Sequence, residues 1–411
     1  MVAQRRVRKA ITNLRVKMIL HRIHISNFRN LLPQSVDLRS VSGAPASVVC
    51  ITGDNGSGKS SFLEAIYYAS CLKSFRTVQN DQLIGHGKDY FNILIFGESS
   101  VNSDIFTIGT GKTRESSPVI KIDGEHVSRA ADLAKRMPIV FLGPESFNLI
   151  SGAPAIRRSF LDFGLFHVKQ SYQDDWLNWR RCLFQRNALL RRFKSEQKPD
   201  LKELDSWDHQ FSNFSEGITR DRTEFVEKLQ SSTKLNRDVT DNLGSAITGS
   251  FNEFDISFWL NPGYSTKGGL QQQLLESRAR DIKYGYTTIG PQKADLVIKS
   301  GDYAARDILS RGQQKRAIID LSLSQLEIVK SLRDELCVVL LDDLGSELDI
   351  SSQKLLLRSL INGGYQVIFT MLSAEQAEIV LSDYIQNSES VTMFHVEHGQ
   401  LQSINPFKNR R

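Results

Sequence analysis

Gly53-Asp54-Asn55-Gly56-Ser57-Gly58-Lys59-Ser60 is the stretch on which the reading of this chain turns. The octapeptide has the form G-x-x-x-x-G-K-[ST], and its surroundings are those the form requires. Before it, Ser47–Thr52 (SVVCIT) is a continuous apolar run, as expected of a parallel strand buried on both faces. After it, Phe62, Leu63, Ile66 and Tyr67 recur at helical spacing. Glycines between strand and helix let backbone amides converge on phosphate oxygens, and the helix N-terminus adds a favourable dipole. Gly53, Asp54, Asn55, Gly56, Ser57 and Gly58 are therefore expected to cradle the phosphates of ATP. Lys59 is placed to reach the β- and γ-phosphates, and the Ser60 hydroxyl to complete a Mg²⁺ shell.

A nucleotide loop of this kind needs a second strand that ends in acid, and the chain supplies one. Val338-Val339-Leu340-Leu341 is apolar throughout and runs into Asp342 and Asp343. Asp342 is placed to hold hydrated Mg²⁺, and Asp343 to orient or deprotonate an attacking water. Upstream lies Leu309-Ser310-Arg311-Gly312-Gln313-Gln314-Lys315, followed by an apolar helical run from Ala317 to Val329. Ser310 can cap that helix. Serine plus glycine at a helix N-terminus also makes an anion site. Ser310, Gly312 and Gln313 have the form of the ABC signature, which meets the γ-phosphate held by a second copy. The order phosphate loop, signature, acidic strand separates this class from helicase and small-molecule-kinase folds.

Outward from these motifs, the 411 residues bound two or three domains. The fold expected is an α/β ABC-type P-loop ATPase head, with mixed sheets around the phosphate-loop helix and an inserted, mainly helical arm lobe. The boundaries read as a basic extension 1–17, a first head part 18–150, an arm 151–275 and a second head part 276–411. His21–Ile25 and Val36–Arg39 alternate as antiparallel strands do, Val119–Val127 carries an Asp-Gly hairpin turn, and Gln366–Phe369 is a further short strand. In the arm, Trp176, Leu183, Leu190 and Phe193 recur at helical steps, with Pro199 and Gly217 expected to interrupt the helices.

The net charge of +6 is local. Arg5, Arg6, Arg8, Lys9, Arg15 and Lys17 carry it, and the rest of the chain holds 46 basic and 46 acidic residues. Residues 1–17 read more simply as an upstream start than as a phosphate-binding arm, with Met18 opening the functional chain. The four cysteines lack CxxC spacing and read as reduced core thiols, which fits a cytoplasmic protein. No apolar run approaches the roughly 18 residues of a membrane span.

From Met18 onward the chain resembles the RecF family. The segments that carry the resemblance are NFRN (Asn27–Asn30), GDNGSGKS (Gly53–Ser60), LEAIYY (Leu63–Tyr68), SFRT (Ser74–Thr77), SGAPAIRRSFLD (Ser151–Asp162), QRNALL (Gln185–Leu190), GPQKADL (Gly290–Leu296), SRGQQK (Ser310–Lys315) and LLDDLGSELD (Leu340–Asp349). The resemblance implies an SMC-like head plus an arm lobe, ATP-dependent homodimerisation, binding of single- and double-stranded DNA, weak DNA-stimulated hydrolysis that resets the dimer, and partnership with RecR and RecO in loading recombinase at gaps. It places Asp349 in a D-loop that signals across the dimer, and Arg76 either near ATP or DNA or in a surface salt bridge. GPQKADL departs from the pattern, with Gln292, Lys293 and Ala294 where many relatives carry His, Arg and Asp, and Met371 stands where transporter ATPases keep a histidine.

Hydrolysis is expected to be slow on physical grounds as well. Asp343 stands where fast ABC ATPases have Glu, so its carboxylate is withdrawn by roughly 1.5 Å. A misplacement of about 1 Å can cost on the order of 100-fold. A neutral body requires a local DNA site, for which Arg157, Arg158 and the cluster Arg180–Arg192 are candidates, with salt-sensitive phosphate contacts. The alternative is another SMC-like head acting in chromosome maintenance. It calls for hundreds of residues of heptads, whereas about 110 residues separate Ser159 from Gly269.

Overall fold

The computed structural model describes residues 18–404 apart from 41, 100–103, 170, 197–199, 244–252, 334–335 and 385–389. The basic stretch 1–17 and the breaker Pro199 lie outside the described residues. The strands are β1 (Met18–Ser26), β2 (Gln34–Asp37), β3 (Val48–Thr52), β4 (Tyr90–Ser99), β5 (Asp104–Thr113), β6 (Val119–Ile122), β7 (Glu125–His126), β8 (Ile139–Leu142), β9 (Ile256–Asn261), β10 (Asp295–Ser300), β11 (Tyr303–Ala304), β12 (Val338–Leu341), β13 (Gln366–Met371), β14 (Val391–Glu397) and β15 (Gln400–Ile404). The longer helices are α1 (Lys59–Cys71), α2 (Pro154–Val168), α3 (Tyr172–Ser195), α4 (Lys202–Leu243), α5 (Leu270–Tyr284), α6 (Arg311–Arg333) and α7 (Ile350–Asn362). No helix among the described residues is long and apolar enough to cross a membrane.

Two compact units result, one of residues up to Phe147 and from Arg333 onward, the other Asn148–Leu332. The first holds two six-stranded sheets. In one, of order β15-β14-β3-β13-β12-β8, the strands from β14 to β8 run parallel and β15 closes the edge antiparallel. Every residue of β3, β12 and β13 is buried, which is why these strands read as unbroken apolar runs. The other sheet, β2-β1-β4-β5-β6-β7, is antiparallel, and β4 alternates exposed and buried residues over its first half. Its β6–β7 hairpin turns on Asp123 and Gly124, both at positive φ, as a two-residue primed turn requires. Side chains of both sheets and of α1 form one core, in which Phe91 meets Phe28 and Tyr68 edge-on at 5.1 and 5.3 Å. Gln366, fully buried, joins the two sheets: its amide bonds the Leu20 carbonyl at 2.8 Å and the Ala46 carbonyl at 2.9 Å, and its oxygen accepts the Leu20 N–H at 2.7 Å.

The second unit packs α2 to α5 with α6 and the antiparallel sheet β11-β10-β9. The boundary expected at residue 275 is corrected to 332. Strand β10 packs on α2, β9 on α4, and α5 on α3 and α4, so the stretch after 275 completes the arm's core instead of opening the second head part. Gly217 does not interrupt the helix either; α4 runs through it for 42 residues. The roughly 1 kcal/mol a mid-helix glycine costs is outweighed by a stripe of buried neighbours, including Phe211, Ile218, Phe225 and Leu229. The buried stripe of α3 is Tyr172, Trp179, Cys182, Arg186, Leu190 and Phe193. It contains the arginine that spacing alone assigns to solvent. None of the four cysteines, all among the described residues, forms a disulfide, and three of them are buried.

Candidate nucleotide site

Strand β3 delivers the chain into the phosphate loop, and the loop's glycines are there for space as well as for torsion. Gly53, at φ 146°, leaves room for only 2.5 Å between an added Cβ and the Val396 carbonyl, and Gly58, at φ 124°, only 3.0 Å to Leu31. The Lys59 ammonium, almost wholly buried, spans the loop by donating to the carbonyls of Gly53 at 2.6 Å and Asp54 at 2.8 Å. Burial lowers its pKa, while Asp343, Asp342 and Asp54 oppose that shift.

The acidic strand end meets the loop. Asp342 Oδ1 accepts hydrogen bonds from Ser60 Oγ at 2.9 Å and Thr370 Oγ1 at 2.8 Å, although 282 positions separate Ser60 from Asp342. Burial raises the Asp342 pKa, and those two hydroxyls and Arg76 work against the rise. The Asp343 N–H donates to the same Thr370 hydroxyl at 2.7 Å, and its φ of 51° turns the side chain away from the strand line. Among the described residues, Asp343 Oδ1 and Ser57 Oγ are buried polar atoms without a hydrogen-bond partner. Orphan acceptors and donors beside a lysine, in a cradle that a Cβ would fill, fit a triphosphate with its metal ion.

An open cavity of about 1040 Å³ surrounds this cluster, and Asn55, Gly56, Gly58, Lys59, Ser60, Arg76, Asp342 and Asp343 line it. Arg76 thus shares the cavity of the phosphate loop. Two features that sequence reasoning missed hold the loop in place. Asn30 donates to the Gly56 carbonyl at 2.9 Å and accepts from Ser61 Oγ at 2.8 Å. Arg29 forks onto the fully buried Glu64 of α1 at 2.7 and 2.9 Å, and Ser74 Oγ donates to the same carboxylate. NFRN is therefore the brace of the phosphate loop. Its spacing gave no sign of this, because the contact is made only in three dimensions. Thr370 was missed for the same reason.

Ser310, Gly312 and Gln313 lie in the second unit, at the start of α6. Ser310 N–H donates to Gln313 Oε1 at 2.8 Å and Gln313 N–H to Ser310 Oγ at 3.3 Å, a reciprocal capping box. Ser310 is exposed, and a Cβ on Gly312 would meet nothing within 4 Å. Asp349 caps α7, accepting the Ser352 N–H at 3.0 Å and Ser352 Oγ at 2.8 Å. Of the candidate DNA contacts, Arg157 is buried and forked onto Asp295 at 2.6 and 3.0 Å, which withdraws it from any surface, whereas Arg158 is partly exposed and donates to the Ala294 carbonyl. Arg186, inside the Arg180–Arg192 cluster, is fully buried between Asp208 and Asp281.

A phosphate loop between strand β3 and helix α1, its serine bonded to the acid at the end of a second parallel strand, defines a P-loop nucleotide-binding head. The family model described as RecF/RecN/SMC N terminal domain matches residues 19–399. A DNA replication and repair protein RecF of Hahella chejuensis is 35% identical over 399 residues, covering 94% of this chain and all of the relative. That of Shewanella oneidensis is 35% identical over 388 residues, with the same coverage. A solved structure of the recombination mediator protein RecF-ATP in the RecFOR pathway aligns with a TM-score of 0.77 at 26% identity, over 95% of this chain and 99% of that one. An Smc head bound to the C-winged helix domain of ScpA, at TM-score 0.51 and 13% identity over 95% of this chain and 98% of that one, shares the fold alone. The chain belongs to the RecF family of DNA replication and repair proteins.

Proposed function

We propose that this chain is an ATP-switched DNA-binding protein of recombinational repair in the cytoplasm, which dimerises on DNA around ATP and is reset by slow hydrolysis. The observation that carries the reading is the 2.9 Å bond from Ser60 to Asp342, which joins two remote segments into one pair able to hold a metal ion. Mg²⁺, when bound, would supply positive charge that offsets the phosphate charge. Ser60 and Asp342 are the residues that would hold it. Lys59 neutralises phosphate charge from the opposite side of the loop. Asp343 Oδ1, unpartnered among the described residues, orients the water or takes its proton. Its short side chain keeps turnover low, so the bound state outlasts a single encounter with DNA.

The exposed, capped start of α6 supports the switch. Ser310 and Gly312 are exposed at the N-terminus of α6, as a contact to a γ-phosphate held by another copy requires. Asp349 belongs to the same proposed interface. RecR and RecO are the proposed partners, because the structural relatives are described within the RecFOR pathway.

Sedimentation velocity of wild type and Ser310→Arg, each with and without ATP and Mg²⁺, tests the reading. The wild type is expected to form a dimer only with ATP; the variant is expected to bind nucleotide and remain a monomer. A variant that dimerises like the wild type removes the signature assignment. RecR or RecO added to the same cells is expected to give a heavier boundary with the ATP-bound wild type, and its absence removes the partnership.

A further inference from the structure

We propose that the turn ending α5 is a stacking platform for unpaired bases of single-stranded DNA. The inference rests on the DNA-binding reading above and gives it a location and a strand preference. Tyr284, the last residue of α5, is 51% exposed, and Tyr286, two residues on, is 43% exposed. Their rings stack on each other with centroids 5.8 Å apart and 29° between planes. Two tyrosine rings held together at the surface are an apolar face that the described residues of the second unit leave about half exposed.

Gly285 makes the arrangement possible. Its φ of 78° ends the helix in the left-handed region and brings the flanking tyrosines together. The turn is fixed from below. Gly285 N–H donates to the Asp281 carbonyl at 2.7 Å, and buried Asp281 Oδ1 accepts from Thr288 N–H at 3.0 Å and Thr288 Oγ1 at 2.6 Å. Thr287 N–H donates to Asn187 Oδ1 at 2.8 Å. A platform so anchored loses little freedom when something stacks on it.

The charge around the rings selects the occupant. Lys293, from the GPQKADL loop, lies 5.2 Å from the Tyr286 ring centroid. The stems of Arg191 and Lys194 on α3 reach the turn, at 3.4 and 3.7 Å from where a Cβ on Gly285 would stand. Lys283 is exposed beside them. Among the described residues, none of these four cations has a carboxylate partner. Protein interfaces are depleted of lysine, whereas aromatic rings ringed by cations are what single-stranded nucleic acid binds. Duplex bases are already stacked on one another, so only unpaired bases can use the ring faces.

Fluorescence anisotropy of the full chain with ATP, on a labelled oligothymidylate and on a blunt duplex of equal length, tests the platform. Tyr284→Ala/Tyr286→Ala is expected to weaken oligothymidylate binding by about tenfold and leave duplex binding unchanged. Tyr284→Phe/Tyr286→Phe is expected to keep both affinities, because rings and not hydroxyls act. An alanine variant that binds oligothymidylate like the wild type overturns the platform, as does equal loss on both DNAs. Unchanged DNA binding with loss of RecR or RecO capture assigns the turn to a protein partner and also overturns it. A wild type that binds neither DNA overturns the underlying reading instead.

Discussion

Thr370 is the residue on which the site's geometry depends most. Its hydroxyl donates to Asp342 Oδ1 and accepts the Asp343 N–H, so it sets the direction of both carboxylates. Thr370→Val keeps the volume and removes the hydroxyl. The Asp343 N–H then loses its partner and Asp342 loses one of two bonds that stabilise its charged form, which raises its pKa further. Groups in this position behind a metal ligand, the role proposed for Asp342, are worth about 10–100-fold in metal affinity or activity. Thr370→Val is expected to weaken Mg²⁺-dependent ATP binding or turnover by about that factor without a large loss of melting temperature. Titration of Mg²⁺ at fixed ATP measures it, and a curve that superimposes on the wild type removes Thr370 from the site. Sequence showed the carboxylates but not this hydroxyl. Thr370 reaches Asp342 because β12 and β13 pair with Leu341 opposite Phe369, and pairing register is a tertiary property.

Among the elements, α7 shows how a predicted site residue also has a plain structural task. Asp349 accepts from Ser351 and Ser352 at the helix start, and these bonds lower its pKa to about 2 from 3.8. A carboxyl whose folded pKa is depressed stabilises fully above its unfolded pKa, and that contribution disappears as pH falls towards the folded value. Asp349→Ala is expected to cost about 1 kcal/mol at neutral pH, whereas Asp349→Asn, also a good cap, is expected to cost less. The gap between wild type and Asp349→Ala in urea midpoint is expected to narrow as pH falls from about 4 towards 2, in line with the depressed pKa. A gap of constant size over that range argues against the cap. Elements differed in how far they could be read from sequence. Runs such as VVLL in β12 declare a doubly buried strand locally. Gly217 misled because packing, not propensity, decides a helix as long as α4.

On the scale of the whole molecule, two units are held by different means. The first has an apolar core shared between sheets. The second adds a buried ionic network in which Arg186 donates to Asp208 at 2.6 Å, Asp281 at 2.8 Å and Thr287 at 2.8 Å, and Arg278 donates to Asp208 at 2.7 Å. Removal of one partner from such a network costs about 3–5 kcal/mol, because the remaining charges stay buried. Arg186→Ala is expected to lower the melting temperature of the second unit by about 10 °C. Arg186→Lys is not expected to rescue it, since an ammonium cannot fork across two carboxylates. Calorimetry decides, and an unchanged transition excludes the network as the unit's anchor. An arginine at the centre of a core was illegible in the sequence, where Arg180–Arg192 reads as one solvated face. Its three partners come from residues 208, 281 and 287.

The position of β3 between β13 and β14 bears on how the chain emerges from the ribosome. The strand that leads into the phosphate loop is made early, and both of its neighbours are made about 300 residues later. At ~5–20 residues per second, that interval is roughly 15–60 s. For most of that time the nascent loop lacks Asp342 and Thr370, so the bond from Ser60 to Asp342 and the Thr370 hydroxyl behind it form only when the chain is nearly finished.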